Sequence, residues 1–469
     1  MTGKTVSPPT RRDGPRRATL FVLLCLSLWL LTGFNACWGG KRVPPPQDQE
    51  EKLGPVSEAL KVDLFFDATL SMRGFVSTET TSVYQQTVPL LERGVIEGWN
   101  GGQAAFHKFG DDIAPLPGRA YLEAVKPSFY GDSKYNTKTF IERVIDRAQP
   151  DHLTVIVSDL FQDNADVNQL SDKLKQKFIA NGMAVGVYAI RSQFAGQVYD
   201  VGADNYTFGY KSGQKAETYR PFYLLAFGTH ADIAHYFEVL AAGGLSGFPE
   251  THALIFSRHL TSAPASFRGA KLKAAEKISE VSSSNLLSGP YAGDRVKAFK
   301  ISSGKAAAGL GLELPFDTAL PNVLTYGGEL TPEVTAWKGE GAAGASALAL
   351  AENEQALKAV RVSASLQPEQ PPFQTISLRT DLKVAELPGG GVYRYRVRLR
   401  PARYELPEWV GRWNMRDEEI KGWHLRPQEF GGGKTYNLEN FLSTLQGAVV
   451  GTTPPPEVCD VYLYIRVDK

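Results

Sequence analysis

Residues 61–75 read KVDLFFDATLSMRGF. An apolar run ends abruptly at a carboxylate, Asp67, and hydroxyls follow at Thr69 and Ser71. A short continuous apolar run is the pattern of a strand buried on both faces. Working outward, the same rhythm repeats. Helical spacing over 78–96 turns Val83, Leu90, Leu91 and Val95 to one side, with Pro89 inside. QAAFHKFG (103–110) reads as a strand, and 137–147 as a helix with Phe140, Val144 and Ile145 on one face. LTVIVSD (153–159) is a second apolar strand ending at an acid, Asp159. A helix follows over 166–180 and stops at Asn181-Gly182. Strands at 183–190 and 222–227 and a helix at 231–240 complete the series. Apolar strands separated by amphipathic helices imply an α/β domain over 60–258, with a doubly wound, mostly parallel sheet. Such sheets bind ligands at the carboxyl ends of their strands, where Asp67 and Asp159 both sit.

The chain has 469 residues and is 43% hydrophobic, enough for two or three domains. Its 51 basic and 50 acidic residues leave a net charge of +1, so nothing suggests a nucleic-acid binder. Three cysteines (Cys25, Cys37 and Cys459) allow neither a zinc knuckle nor a disulfide framework. The histidines show no HExxH spacing, and His230 and His235 read as structural helix residues. No Walker loop occurs, and GGLSG at 243–247 sets Ser246 one place off a nucleophile elbow. A haloacid-dehalogenase-type phosphatase would need a second Asp where Thr69 stands.

Asp67-x-Thr69-x-Ser71, followed by Met72 and Gly74, resembles the metal-ion-dependent adhesion site of von Willebrand factor A (vWA) domains. That family opens its site with DxSxS, adds a threonine from a loop before a helix, and closes with an Asp at the end of a buried strand. Thr137 in KYNTKTF takes the second place and Asp159 in VSDLFQDN the third; Leu160 stands where the family has Gly. The resemblance covers about 60–240 and implies a vWA/Rossmann-like fold. It also implies Mg²⁺, or Mn²⁺ or Ca²⁺ in its place, held by Asp67, Thr69, Ser71, Thr137 and Asp159. Hard oxygen donors suit such an ion, and neutral hydroxyls leave it a net pull on a partner's Asp or Glu. Singly, each of these residues is also what a strand end or helix cap favours.

The N-terminus carries Arg11, Arg12, Arg16 and Arg17 before the short apolar run TLFVLLCLSLWLL (19–31), the order of a secretory signal. TGFNACW then resembles a bacterial lipoprotein signal, with Ala36 before Cys37 as the lipidated residue. The signal is expected over 1–37. Trp38 in place of Asp directs such a lipoprotein to the outer membrane, so the expected location is the bacterial cell envelope, at the outer membrane or periplasmic face. Residues 38–59, with PPP at 44–46, read as a flexible tether.

Beyond 258 the pattern changes. AKLKAAEKISEVS (270–282) has weak helical spacing, and VRVSASL (360–366), VYRYRVRLR (392–400) and 458–467 read as strands. Short strands with polar turns suggest a β-rich region over 259–469, one or two domains, possibly of the immunoglobulin-like sandwich kind. LENFLSTL (438–445) is an inserted helix. Arg394, Arg396, Arg398 and Arg400 line one face of their strand, a solvated face paired with neighbouring acids or else a surface for anionic lipid. The expected function is membrane-anchored binding of a protein partner through a bridging cation. A scaffold with a vestigial metal site is the alternative. A hydrolase lacks a nucleophile–base pair, and the chain reads as no enzyme.

Overall fold

The computed structural model describes residues 41–47, 54–160, 164–201, 206–258, 267, 270–274, 278–291, 293–302, 307–317, 330–340, 347–368, 373–416, 418–420, 432–452 and 457–468. Cys25 and Cys37 lie outside the described residues, as does the apolar segment around them. Among the described residues, no helix is long and apolar enough to cross a membrane.

The first region comprises β1 (Lys61–Asp67), α1 (Val83–Gly98), β2 (Gln103–Phe109), β3 (Ile113–Pro115), α2 (Ile141–Arg147), β4 (His152–Ser158), α3 (Asn164–Lys177), β5 (Ala184–Ser192), β6 (Ala195–Val201), β7 (Tyr206–Lys211), β8 (Arg220–Gly228), α4 (His230–Ala242) and β9 (Thr251–Phe256). Seven of these strands form one sheet in the order β3-β2-β1-β4-β8-β5-β9. β1 pairs parallel with β2 and β4. β8 runs antiparallel between β4 and β5, and β3 and β9 are antiparallel edges. The sheet is therefore mixed, which corrects the expectation of a mostly parallel one. β5 and β8 are buried along their whole length, so neither shows the alternation that would betray a strand's surroundings.

Helices cover both faces. Gly186 of β5 meets Ile233 and Phe237 of α4, and the Tyr236 hydroxyl donates to the Leu91 carbonyl of α1. On the other face the Phe227 ring of β8 stacks on Phe178, just beyond α3, at 4.9 Å. α1 begins at Ser82 with a capping box to Gln85, later than the apolar spacing predicts, because residues 70–76 form a separate 3-10 turn.

The second region comprises β10 (Lys271–Ala274), β11 (Ile278–Val281), β12 (Val296–Ser302), β13 (Ala307–Asp317), β14 (Leu330–Glu340), β15 (Ala349–Glu352), α5 (Glu354–Lys358), β16 (Val360–Pro368), β17 (Phe373–Lys383), β18 (Gly391–Pro401), α6 (Glu408–Trp413), β19 (Asn414–Met415), β20 (Thr435–Tyr436), α7 (Leu438–Val450) and β21 (Cys459–Asp468). Its two main sheets have the orders β10-β13-β17-β16 and β11-β12-β21-β18-β14-β15. The described part of 270–282, expected as a helix, contributes the strands β10 and β11. On β18, Tyr393, Tyr395, Val397 and Leu399 are buried, as their alternation predicts. The arginines opposite are engaged with protein groups. Arg396 grips Asp460 at 2.8 and 2.7 Å, Arg400 pairs with Glu333 at 2.9 Å, and Arg394 lies 4.0 Å over Trp337. Cys459 is a buried free thiol.

Two findings change the expected organisation. The chain between β18 and β21 leaves the β region and packs on the first one. Trp409 stacks on His252 at 4.7 Å, the Trp413 indole donates to Glu250 at 3.1 Å, and the Tyr223 hydroxyl donates to Thr435 at 2.8 Å. The segment expected as a free tether is also docked. Arg42 and Val43 bridge to Ala347 and Leu287, and Val43 is fully buried against Leu286, Leu348, Tyr462 and Tyr464. Val43 thereby covers apolar surface on the outer side of β12, β18 and β21. Further along, the backbone and hydroxyl of Ser57 donate to Asp232 at 2.8 and 2.9 Å. The proline-rich stretch pays its ordering cost through these contacts.

Candidate functional site

Three chain segments meet at the carboxyl ends of β1 and β4. Asp67 closes β1 and is fully buried. Its Oδ1 accepts from the Thr69 backbone N–H at 2.9 Å and from the Thr69 hydroxyl at 2.6 Å. Its Oδ2 accepts from the Ser158 hydroxyl at 2.7 Å and the Thr139 hydroxyl at 3.2 Å. The Thr69 and Ser71 hydroxyl oxygens lie 3.1 Å apart, and Ser71 donates to Asp159 Oδ1 at 3.2 Å. Asp67, Thr69, Ser158 and Asp159 are buried, whereas Ser71 and Thr139 are half-buried and form the open side.

Neighbouring loops hold this arrangement. The Ala68 N–H donates to the Phe109 carbonyl, and the Leu70 N–H to that of Asn136. Gly74 allows the Phe194 ring against the 3-10 turn; a Cβ there would fall 2.2 Å from the ring. Leu160 adopts φ 52°, the left-handed region that favours glycine. Its N–H donates to the Ser158 hydroxyl at 3.2 Å, and its side chain is buried. A leucine thus takes a backbone conformation that suits glycine, at a cost of about 1–2 kcal/mol.

Four of the five expected site residues, Asp67, Thr69, Ser71 and Asp159, come together. Thr137 does not. Its N–H and that of Lys138 are drawn to Asp111 Oδ2 at 2.8 and 3.1 Å, and its side chain is exposed. Thr139, two positions on, supplies the hydroxyl instead, 3.2 Å from the Thr69 oxygen. The sequence motif points to Thr137 alone; Asp111 holds the backbone there, and the Thr139 hydroxyl is the one that reaches the cluster. Ser158 and Arg220 also reach the cluster, and neither was among the expected ligands. Arg220 is 1% exposed, and its Nη2 lies 3.3 Å from Asp159 Oδ2. A lone arginine leading the apolar run RPFYLLAFG was the available signal.

The electrostatics follow from burial. Loss of solvent, and then the nearby charge of Asp159, push the Asp67 carboxyl up to about 6, against lowering hydrogen bonds from Thr69 and Ser158. Two carboxylates and one guanidinium leave the cluster one net negative charge when both acids are ionised.

The donor set fits a hard divalent cation. Its oxygens are carboxylate and hydroxyl groups, the hard donors such an ion takes, and hydrogen bonds of 2.6 to 3.2 Å join them from Asp67 through Thr69 and Ser71 to Asp159. No imidazole or thiol is among these donors, which sets zinc aside. Among the described residues, no group of three or more His, Cys, Asp or Glu is placed to hold a metal, and the Asp67 cluster contributes two carboxylates, its other oxygens being hydroxyls. Comparison of the chain with protein-family models, with curated proteins and with solved structures finds no match.

Proposed function

We propose that the chain is a lipid-anchored protein of the bacterial cell envelope, and that its α/β region is vWA-like and binds a protein partner at the Asp67 site. One observation carries this reading: oxygens of Asp67, Thr69, Ser71, Thr139 and Asp159, from three chain segments, close into a single cluster with one open side. A bound Mg²⁺ or Mn²⁺ would supply an open coordination position for a carboxylate of the partner's Asp or Glu. Thr69 and Ser71 offer it neutral oxygens, Asp67 and Asp159 supply charge, and Thr139 stands at the entrance. Leu160 stands where that family has Gly and is a departure from its motif, although its left-handed backbone is one that glycine adopts freely. In the same reading the two-sheet region is immunoglobulin-like, with the parallel β12–β21 pair as a departure. Cys37 carries the lipid, and no catalytic step is assigned.

A second reading, a scaffold with a vestigial site, is favoured by the Arg220–Asp159 pair, in which a side-chain cation already serves one carboxylate. Calorimetric titration with Mg²⁺ and then Mn²⁺ separates the two. One bound ion, lost in Asp67→Ala and Asp159→Ala proteins that still fold, supports the adhesion-type site. Partner capture that persists in chelator and in Asp67→Ala supports the scaffold.

A further inference from the structure

Arg220 has no counterpart in the motif that defines the site, and it bears on how the site would work; the inference rests on the metal-dependent reading above. The residue opens β8 and is buried. Besides the contact with Asp159, its Nη1 donates to the Gly432 carbonyl at 3.2 Å, and its guanidinium lies 5.4 Å from the centre of the Phe194 ring. It is thus held by the Asp159 carboxylate just beyond β4, by the returning segment before α7 and by the aromatic wall beside the 3-10 turn.

We propose that Arg220 makes the site conditional: a divalent cation and a carboxylate ligand bind together, each weakly without the other. The reason is charge balance in a buried place. Asp67 and Asp159 contribute two negative charges and Arg220 one positive charge. A divalent cation alone would leave one uncompensated positive charge, which burial disfavours. An incoming carboxylate brings the sum to zero. Without Arg220, the two aspartates would balance the ion by themselves, and the carboxylate would add little. The arginine therefore converts a resident ion site into one that fills when an acidic partner arrives.

The test is calorimetric titration of Mn²⁺ into the detergent-solubilised full chain, in carboxylate-free buffer and again with excess acetate as the carboxylate probe. Asp67→Ala serves as the blank. In the wild type, acetate should raise Mn²⁺ affinity by about tenfold or more. Arg220→Gln should bind Mn²⁺ in plain buffer at least as tightly as the wild type does with acetate, and acetate should change it little. Arg220→Lys, which keeps the charge, should behave like the wild type. Should Arg220→Gln fail to fold, Arg220→Met, which also removes the charge, takes its place in the comparison. Tight Mn²⁺ binding by the wild type that acetate does not alter would overturn the inference and leave the metal site standing. Absence of Mn²⁺ binding in every protein and buffer would overturn both.

Discussion

Replacing Asp67 with Asn should stabilise the metal-free protein at neutral pH. Asp67 is fully buried, and its carboxyl is pushed up from the ordinary 3.8 to about 6 by burial and by Asp159. The folded state therefore holds a proton that the unfolded state releases between those two values. Stability from this group is greatest below 3.8, falls as pH rises, and is fully lost above about 6. At 1.36 kcal/mol per pH unit the loss is roughly 3 kcal/mol. Asn can keep the Oδ1 contacts with Thr69, and its amide can donate to Ser158 and Thr139, whose hydroxyls accept as readily as they donate. In chelator at pH 7.5, Asp67→Asn should unfold about 7 °C above the wild type, for a region of some 200 residues. The gap should close towards pH 4. Saturating Mn²⁺, with acetate present, should raise the wild type alone, by about 2.7 kcal/mol at a hundredfold excess over Kd. A lower melting temperature for Asp67→Asn in chelator at pH 7.5 would refute the reasoning, because Arg220 would then more than compensate the buried charge.

Three further outcomes are expected. Thr139→Val should weaken Mn²⁺ binding about tenfold by calorimetry, while Thr137→Val leaves it unchanged; equal effects would return Thr137 to the site. Val43→Asp places an unpaired charge among Leu286, Leu348 and Tyr464, at a cost of about 3 kcal/mol. Trypsin should then cut after Lys41 and Arg42 faster, and an unchanged rate would mean the docking is not stabilising. Asp63 responds to pH in the sense opposite to Asp67. Burial raises its carboxyl, but the nearby His107 imidazole, 3.9 Å away, and the 2.6 Å hydrogen bond with His152 outweigh that and hold it below 3.8. Its stabilisation is present above 3.8 and is lost as pH falls through the lowered folded value. Asp63→Asn should cost about 1 kcal/mol at pH 7 and flatten the acid limb of the stability profile; an unaltered acid limb would remove Asp63 from the account.

Most of the site was legible because its residues obey a strand-end rule that operates over short distances. Asp67 and Asp159 end apolar runs, and Thr69 and Ser71 follow Asp67 at alternate positions, so local geometry nearly sufficed to bring them together. What escaped depends on distant partners. Thr137 and Thr139 are the same residue type two positions apart, and which of them reaches the cluster depends on how the loop backbone is held, in part by Asp111. β10 and β11 were hidden by lysine, alanine and glutamate, which favour helices; pairing with β13 and β12 overrides that preference. Val43 sits among prolines, where composition predicts a solvated chain, and its burial comes from surface supplied some 240 to 420 residues later by Leu286, Leu348 and Tyr464.

The direction of β8 has the largest consequence for the site. An apolar strand buried on both faces reads the same whether its neighbours run with it or against it. Antiparallel pairing sets Tyr223 opposite Ser158 and Phe227 opposite Thr154. The N-terminal end of β8 therefore arrives at the carboxyl end of β4, and Arg220, just before Tyr223, reaches Asp159. A parallel strand in that position would have brought Gly228 and the Thr229 cap of α4 to the same place, leaving both aspartates to face the site without a counter-charge. The mixed sheet is thus what gives the cluster its guanidinium. The same strand brings Tyr223 to Thr435 and Arg220 to Gly432, fastening the returning segment where the charge is set. The sense of one strand determines the charge the site presents to a cation and ties it to the segment that carries α7.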